Sequence, residues 1–282
     1  MDQHTETPSP ANANIPRDGV PPVCDAASRR PSVWSGLGTV VLYFLLQFGI
    51  SFAAGSLLAL ALKLRIGFGA GARHVPGAMH LLRTNPDARA ILAVVTIVAA
   101  AIVMIVVVRR LWPEQWSRGG LPGFGFTRPT NQLAYMGAVA LAVILLVVSG
   151  PLTELLAGKH PVQQNIDVMA DQVSLGMRIP LAILVVCVAP VIEELVFRGV
   201  LLSGLASRMR VGWAILVSAL IFGCAHLPDF QFAWYPVPAL VLLGLALGWL
   251  RVYTHSLWPS ITLHATNNFI AMLAWFIAAG PH

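Results

Sequence analysis

The run "IPLAILVVCVAPVIEELVFRG", Ile179 to Gly199, decides the fold. Its residues 179–192 are apolar, and it then places Glu193, Glu194 and Arg198 at the end of a stretch that otherwise suits lipid. A charge near the bilayer centre costs about 2.5 to 3.5 kcal/mol on insertion scales, so three unpaired central charges would cost roughly 8 kcal/mol. A chain that keeps them must pair them, use them, or hold them at an interface. The composition supplies the membrane: of 282 residues, 57% are hydrophobic and 11% charged, with a mean hydropathy of +0.74, against about 25% charged in a soluble domain. The reading is an all-α, polytopic transmembrane bundle with an intramembrane polar cavity.

Crossing about 30 Å of hydrocarbon takes about 20 apolar residues. Such runs occur at roughly 37–62, 90–108, 133–152, 179–196, 211–226, 235–250 and 257–279, which predicts 7–8 helices. The fifth and sixth are short, and Pro236 and Pro238 blur the start of the sixth. Residues 1–35, rich in Pro, Ala, Asn and charge, lack the apolar core of a signal peptide and are expected to form a disordered cytoplasmic tail. Residues 36–178 carry almost nothing ionisable within their apolar runs and read as a transmembrane scaffold. Residues 179–279 concentrate the intramembrane polar groups and read as the catalytic region.

With the N-terminus inside, Arg17, Arg29, Arg30, Arg109, Arg110, Arg118, Arg128, Arg198, Arg208, Arg210 and Arg251 fall on the cytoplasmic side, 11 of the 18 Lys and Arg. Topology thus accounts for the formal charge of +6, and no nucleic-acid partner is inferred. Cys24, Cys187 and Cys224 form no C-x-x-C pair and suggest no disulfide framework.

On a helix, Glu194 and Arg198 stand at i and i+4 in the favourable order and can pair on one face. Glu193 is rotated by about 100° from that face and is left free. A desolvated carboxylate without a cation tends toward a raised pKa, the condition for a general base near neutral pH. "LIFGCAHLPDF" puts Phe222 one turn before His226, and "SLWPSITLHATNNF" puts His264 one turn before Asn268. Each histidine taken singly suits a hydrogen-bonded packing role. Converging from separate helices, one carboxylate, two imidazoles and a carboxamide can hold a water, deprotonate it and stabilise an oxyanion. Glu193, His226 and His264 could equally ligate a divalent metal such as zinc with an open position. No H-E-x-x-H and no G-x-S-x-G occurs.

In order, "EELVFR", "FGCAH" and "HATNN" resemble the motifs of the CPBP family, the CAAX prenyl proteases and bacteriocin-processing enzymes also called Abi, over about residues 179–275. The resemblance implies a membrane-embedded endopeptidase of the endoplasmic reticulum or bacterial inner membrane, whose polar cavity opens toward the cytoplasmic leaflet. For this chain the expected location is the bacterial inner membrane, with the N-terminus cytoplasmic on the Lys and Arg count given above. By motif, Glu193 corresponds to the glutamate that activates water, and His226, His264 and Asn268 to the groups that orient water and stabilise the oxyanion. Glu194, Arg198 and Phe222 correspond to supporting positions. The family includes enzymes described as metal-dependent and as metal-independent, so the cofactor stays open. In "YTHSLWP" the family usually has a small residue, commonly Gly, where this chain has His255, which is not expected to be catalytic. The implied partners are a membrane-associated protein or peptide substrate and the lipid bilayer. Two other classes remain in view: a non-catalytic immunity or partner-binding membrane protein, and a proton-coupled transporter.

Overall fold

A computed structural model describes residues 30–67, 78–160 and 172–279. Among them there are only helices and connections: α1 Val33–Gly67, α2 Ala78–Thr84, α3 Pro86–Leu111, α4 Leu133–Ala157, α5 Leu175–Ala206, α6 Val211–Ala225, α7 Val237–Thr254 and α8 Trp258–Ala279. The expected tail lies outside the described residues as far as 29, and its last three residues already belong to α1. Five helices, α1, α3, α4, α5 and α7, are long and apolar enough to cross a membrane, while the 15-residue α6 is shorter. Large side chains such as Phe48, Leu57, Val147, Leu155 and Ile277 are exposed on the outer surface, as lipid contact requires. The chain is an integral membrane protein.

Two ends of the bundle can be told apart by their contacts. At one, the turn between α3 and α4 is tied to the α7–α8 turn: Arg251 donates from Nη1 to the Gly119 carbonyl at 2.8 Å and from Nη2 to that of Gly123. Leu257 N–H donates to Gly125 O at 2.7 Å. The end of α5 joins them through Ser203, whose hydroxyl donates to Gly123 O, and Gly204, packed on Ser32 before α1. We call this the clamped end. At the other, the α6–α7 turn lies beside the end of α4 at Leu156 and His160, and Ser174 N–H caps onto Asp87.

α5 is not a uniform α-helix. Pro190 lacks the N–H that an α-helix would use, and the turn before it widens into a π segment, Leu184–Val188, where Ala189 N–H reaches the Leu184 carbonyl five residues back. A second π segment, Leu195–Leu201, closes with Leu202 N–H on Phe197 O. Such segments recur at functional sites because they re-aim side chains. Here they bracket the six residues Ala189–Glu194 that carry both glutamates. Pro190 accounts for the first departure from regularity; nothing so local accounts for the second.

Candidate active site

The buried side of the site is an ion pair. Glu194 and Arg198 have no exposed surface, and Arg198 Nη1 donates to Glu194 Oε1 at 3.0 Å, the i,i+4 geometry expected from the sequence. Arg198 Nη2 reaches the Gly244 carbonyl at 3.3 Å, and its guanidinium lies 4.2 Å from the centroid of Phe222. α7 can come this near only because residue 244 is glycine: a Cβ there would stand 2.9 Å from Ala219 Cβ and 3.3 Å from Arg198 Nη2.

Glu194 has a second partner that sequence spacing did not reveal, His264 Nδ1 on α8 at 3.0 Å. A carboxylate only accepts, so this ring nitrogen carries the proton. His226 closes α6, and its Nδ1 lies 2.8 Å from the Phe222 carbonyl one turn back, so it too is protonated at Nδ1. Both rings therefore turn Nε2 toward Glu193, whose Oε2 lies 3.7 Å from His226 Nε2 and 3.8 Å from His264 Nε2. Phe222 fixes their separation, standing edge-on to His264 at 5.8 Å and tilted against His226 at 4.6 Å between ring centroids.

The chemistry of this triangle follows from counting lone pairs. With both protons on Nδ1, two imidazole lone pairs and a carboxylate face one another, all three acceptors. The arrangement calls for a hydrogen-bond donor or a cation among them. A water meets the need by donating to Glu193 and one imidazole, and so does a proton shared with a histidine. Donor types also suit zinc, and both rings have the outer hydrogen bonds common to metal-bound histidines. The separations are wider than the about 3.3 Å between two ligands of a tetrahedral zinc, and no group of three His, Cys, Asp or Glu among the described residues stands in metal-holding geometry.

Residues 175–270 match the family described as type II CAAX prenyl endopeptidase Rce1-like. Over this region the chain is similar to the CAAX proteases. The "Putative membrane peptidase YdiL" of Bacillus subtilis is 22% identical over 239 residues, covering 83% of this chain and 86% of that protein. No solved structure matches the chain. Together these relationships support a membrane protease in general, and they fit a peptide substrate and a lipid bilayer.

The family region runs from the start of α5 into α8 and contains Glu193, Glu194, Arg198, Phe222, His226, His264 and Asn268. The first six make one contact network. Asn268 stands apart from it: its Nδ2 donates to the Val185 carbonyl at 2.9 Å, in the first π segment, and its Oδ1 faces Asn267 at 3.5 Å. A side chain from the first helix also comes near. Tyr43 of α1, almost fully buried, lies within electrostatic range of Glu193 and of Asp229 on the turn after His226. No motif marked Tyr43, and only the fold brings α1 against α5. His255, set aside on the sequence, caps α7 in the left-handed region at φ 52°, a position that glycine takes without strain and which accounts for the family's preference.

Proposed function

We propose that the protein is an intramembrane endopeptidase in which Glu193 activates a water to hydrolyse a peptide bond of a membrane-associated protein or peptide. The observation that carries this is the convergence of Glu193 Oε2 with two imidazole Nε2 atoms at 3.7 and 3.8 Å, where both Glu193 and His226 keep 16% of their side chains accessible. The rest of the network is sealed; this edge is open.

Water held in the triangle donates one hydrogen to Glu193. As its oxygen attacks the scissile carbonyl carbon, that proton passes to the carboxylate and the carbonyl oxygen gains negative charge. With a proton taken from solvent onto Nε2 before the attack, His264 donates to that oxyanion, the Glu194 carboxylate on its Nδ1 stabilises the imidazolium, and this proton stays on Nε2 when the oxyanion collapses. The protonated Glu193 then delivers its proton to the leaving amine nitrogen as the C–N bond breaks. Glu194 and Arg198 are positioning residues: they set the tautomer and angle of His264 without touching the reacting atoms. Asn268 supports this geometry by holding α8 to the π segment of α5.

A zinc ion in the same place would be held by Glu193, His226 and His264, and would supply Lewis-acid activation of water. The wider separations favour the water held by side chains alone. On the resemblance we place the protein in a bacterial inner membrane, and on the distribution of Lys and Arg we place its N-terminus in the cytoplasm.

The test is cleavage of quenched-fluorescence peptides by purified protein in lipid vesicles. His226→Ala and His264→Ala should each lose activity, and the double variant should be little worse than either, because groups acting on one water act as a unit. Activity should survive a chelator. Loss on chelation with recovery on zinc would replace the metal-free mechanism, and full activity of both single variants would remove the site itself.

A further inference from the structure

Resting on the proteolytic reading above, we propose that Tyr43 of α1 is a further catalytic residue of this site, its hydroxyl donating a hydrogen bond to the oxyanion that forms when water attacks the scissile carbonyl.

The register of α1 against α5 sets its depth. Gly204 packs on Ser32 just before α1, and a Cβ on Gly36 would stand 3.1 Å from Leu201 Cα, so the two helices run antiparallel in close contact. From Gly36 the seven steps to Tyr43 rise about 10 Å, and from Leu201 the eight steps back to Glu193 cover about 12 Å at α-helical rise. Tyr43 therefore stands within one turn of the level of Glu193. Gly36, Val40 and Tyr43 fall at i, i+4 and i+7 on one face of α1. Val40 and Tyr43 are buried in the same core as Leu195, Val200 and Leu201, so this face is the one turned to α5.

A buried tyrosine usually places its O–H on an acceptor. The Tyr43 residue is only 3% exposed, yet its hydroxyl has no hydrogen-bond partner among the described residues and is not sealed off. The packed ring thus ends in a free donor at the edge of accessible space. It interacts electrostatically with Glu193 and Asp229, on two different elements, without a hydrogen bond to either. A donor so placed is kept for a group that arrives between it and the glutamate.

The site is short of such a donor. Glu193, His226 and His264 face one another as acceptors, and the Nδ1 hydrogens of the two rings are committed to Phe222 O and to Glu194. Asn268, which the resemblance assigns to the oxyanion, donates from Nδ2 to Val185 O at 2.9 Å. Arg198 is sealed behind Glu194. The His264 imidazolium is left as one donor, whereas an oxyanion is commonly held by two. Tyr43 supplies the second as a neutral group. When the water oxygen bonds to the carbonyl carbon, the water proton goes to Glu193 and the carbonyl π pair moves to oxygen. The phenol O–H donates to that oxygen and keeps its own proton. As the C–N bond breaks, the pair re-forms C=O and the Glu193 proton goes to the amine, so Tyr43 ends the cycle unchanged.

Tyr43→Phe removes the hydroxyl and keeps the ring. The full chain carrying it is compared in lipid vesicles with wild type and Glu193→Gln for cleavage of quenched-fluorescence peptides, for inhibition by a peptide phosphinate whose P–O⁻ stands for the oxyanion, and for melting. The expected result is a kcat lower by about 10² to 10³, with KM and melting unchanged and phosphinate inhibition weakened by a comparable factor. A wild-type kcat, or a reduced kcat with wild-type phosphinate affinity, overturns the proposal. Should the variant melt lower, phosphinate affinity relative to KM still decides, because a loosened fold weakens both alike. Cleavage lost in Glu193→Gln but kept in Tyr43→Phe removes Tyr43 alone and leaves the protease standing; no cleavage by wild type removes both.

Discussion

Replacing Arg198 with alanine tests the buried pair. The guanidinium balances Glu194 at 3.0 Å, donates to Gly244 O and covers the Phe222 ring at 4.2 Å, all with no exposed surface. Removing it leaves the Glu194 carboxylate with His264 as its remaining partner and opens a cavity beside Phe222. Stranding one member of a buried ion pair costs about 3 to 5 kcal/mol, and the lost ring contact falls within that range rather than adding to it. At about 2 to 4 °C per kcal/mol for a chain of this size, the melting temperature in detergent should fall by about 6 to 20 °C. Glu193→Gln is the control. Its carboxylate is partly accessible and lies beyond hydrogen-bond distance of both imidazoles, so its effect should stay within about 0.5 kcal/mol. Melting is read by size-exclusion loss of monodisperse protein on heating, with both variants in the same detergent. Equal melting temperatures for wild type, Arg198→Ala and Glu193→Gln would refute the division into a structural pair and a free glutamate.

Gly244→Ala should destabilise by about 1 to 3 kcal/mol, the usual cost of overpacking, because its Cβ would meet Ala219 Cα at 3.0 Å and displace α7 from Arg198; detergent melting checks it. His255→Gly should stabilise by about 1 kcal/mol by relieving the left-handed backbone at φ 52°, with peptide cleavage unchanged. Asn268→Leu removes one hydrogen bond to Val185 O and should cost about 1 kcal/mol of stability. If Asn268 instead touches the reacting oxygen, kcat will collapse with no change in melting.

The spans were legible because hydropathy alone marks them, and Pro236 proved to cap the start of α7 with Pro238 in its first turn, where the missing N–H is harmless. The Glu194–Arg198 pair was legible because i,i+4 spacing is local. The Glu194–His264 bond was not, since it joins residues 70 apart on different helices. Its discovery gives Glu194 a second task that the pairing argument had missed. The same limit hid Tyr43, an isolated aromatic in a scaffold helix. Asn268 shows the converse: its spacing from His264 put both on one face, yet a helix face is broad enough for the two side chains to find different partners on α5. The second π segment has no Pro, and its cause is tertiary: buried on all sides, Leu195–Leu201 fits its contacts with α1, α6 and α7.

The most direct test of the central claim is peptide cleavage by Glu193→Gln in lipid vesicles. The substitution keeps the side chain's shape and removes the proton acceptor, so the account predicts a fall in kcat of about 10² to 10⁴ with wild-type melting behaviour. Wild-type cleavage rates from Glu193→Gln would contradict it, because no other carboxylate in the site faces both imidazoles.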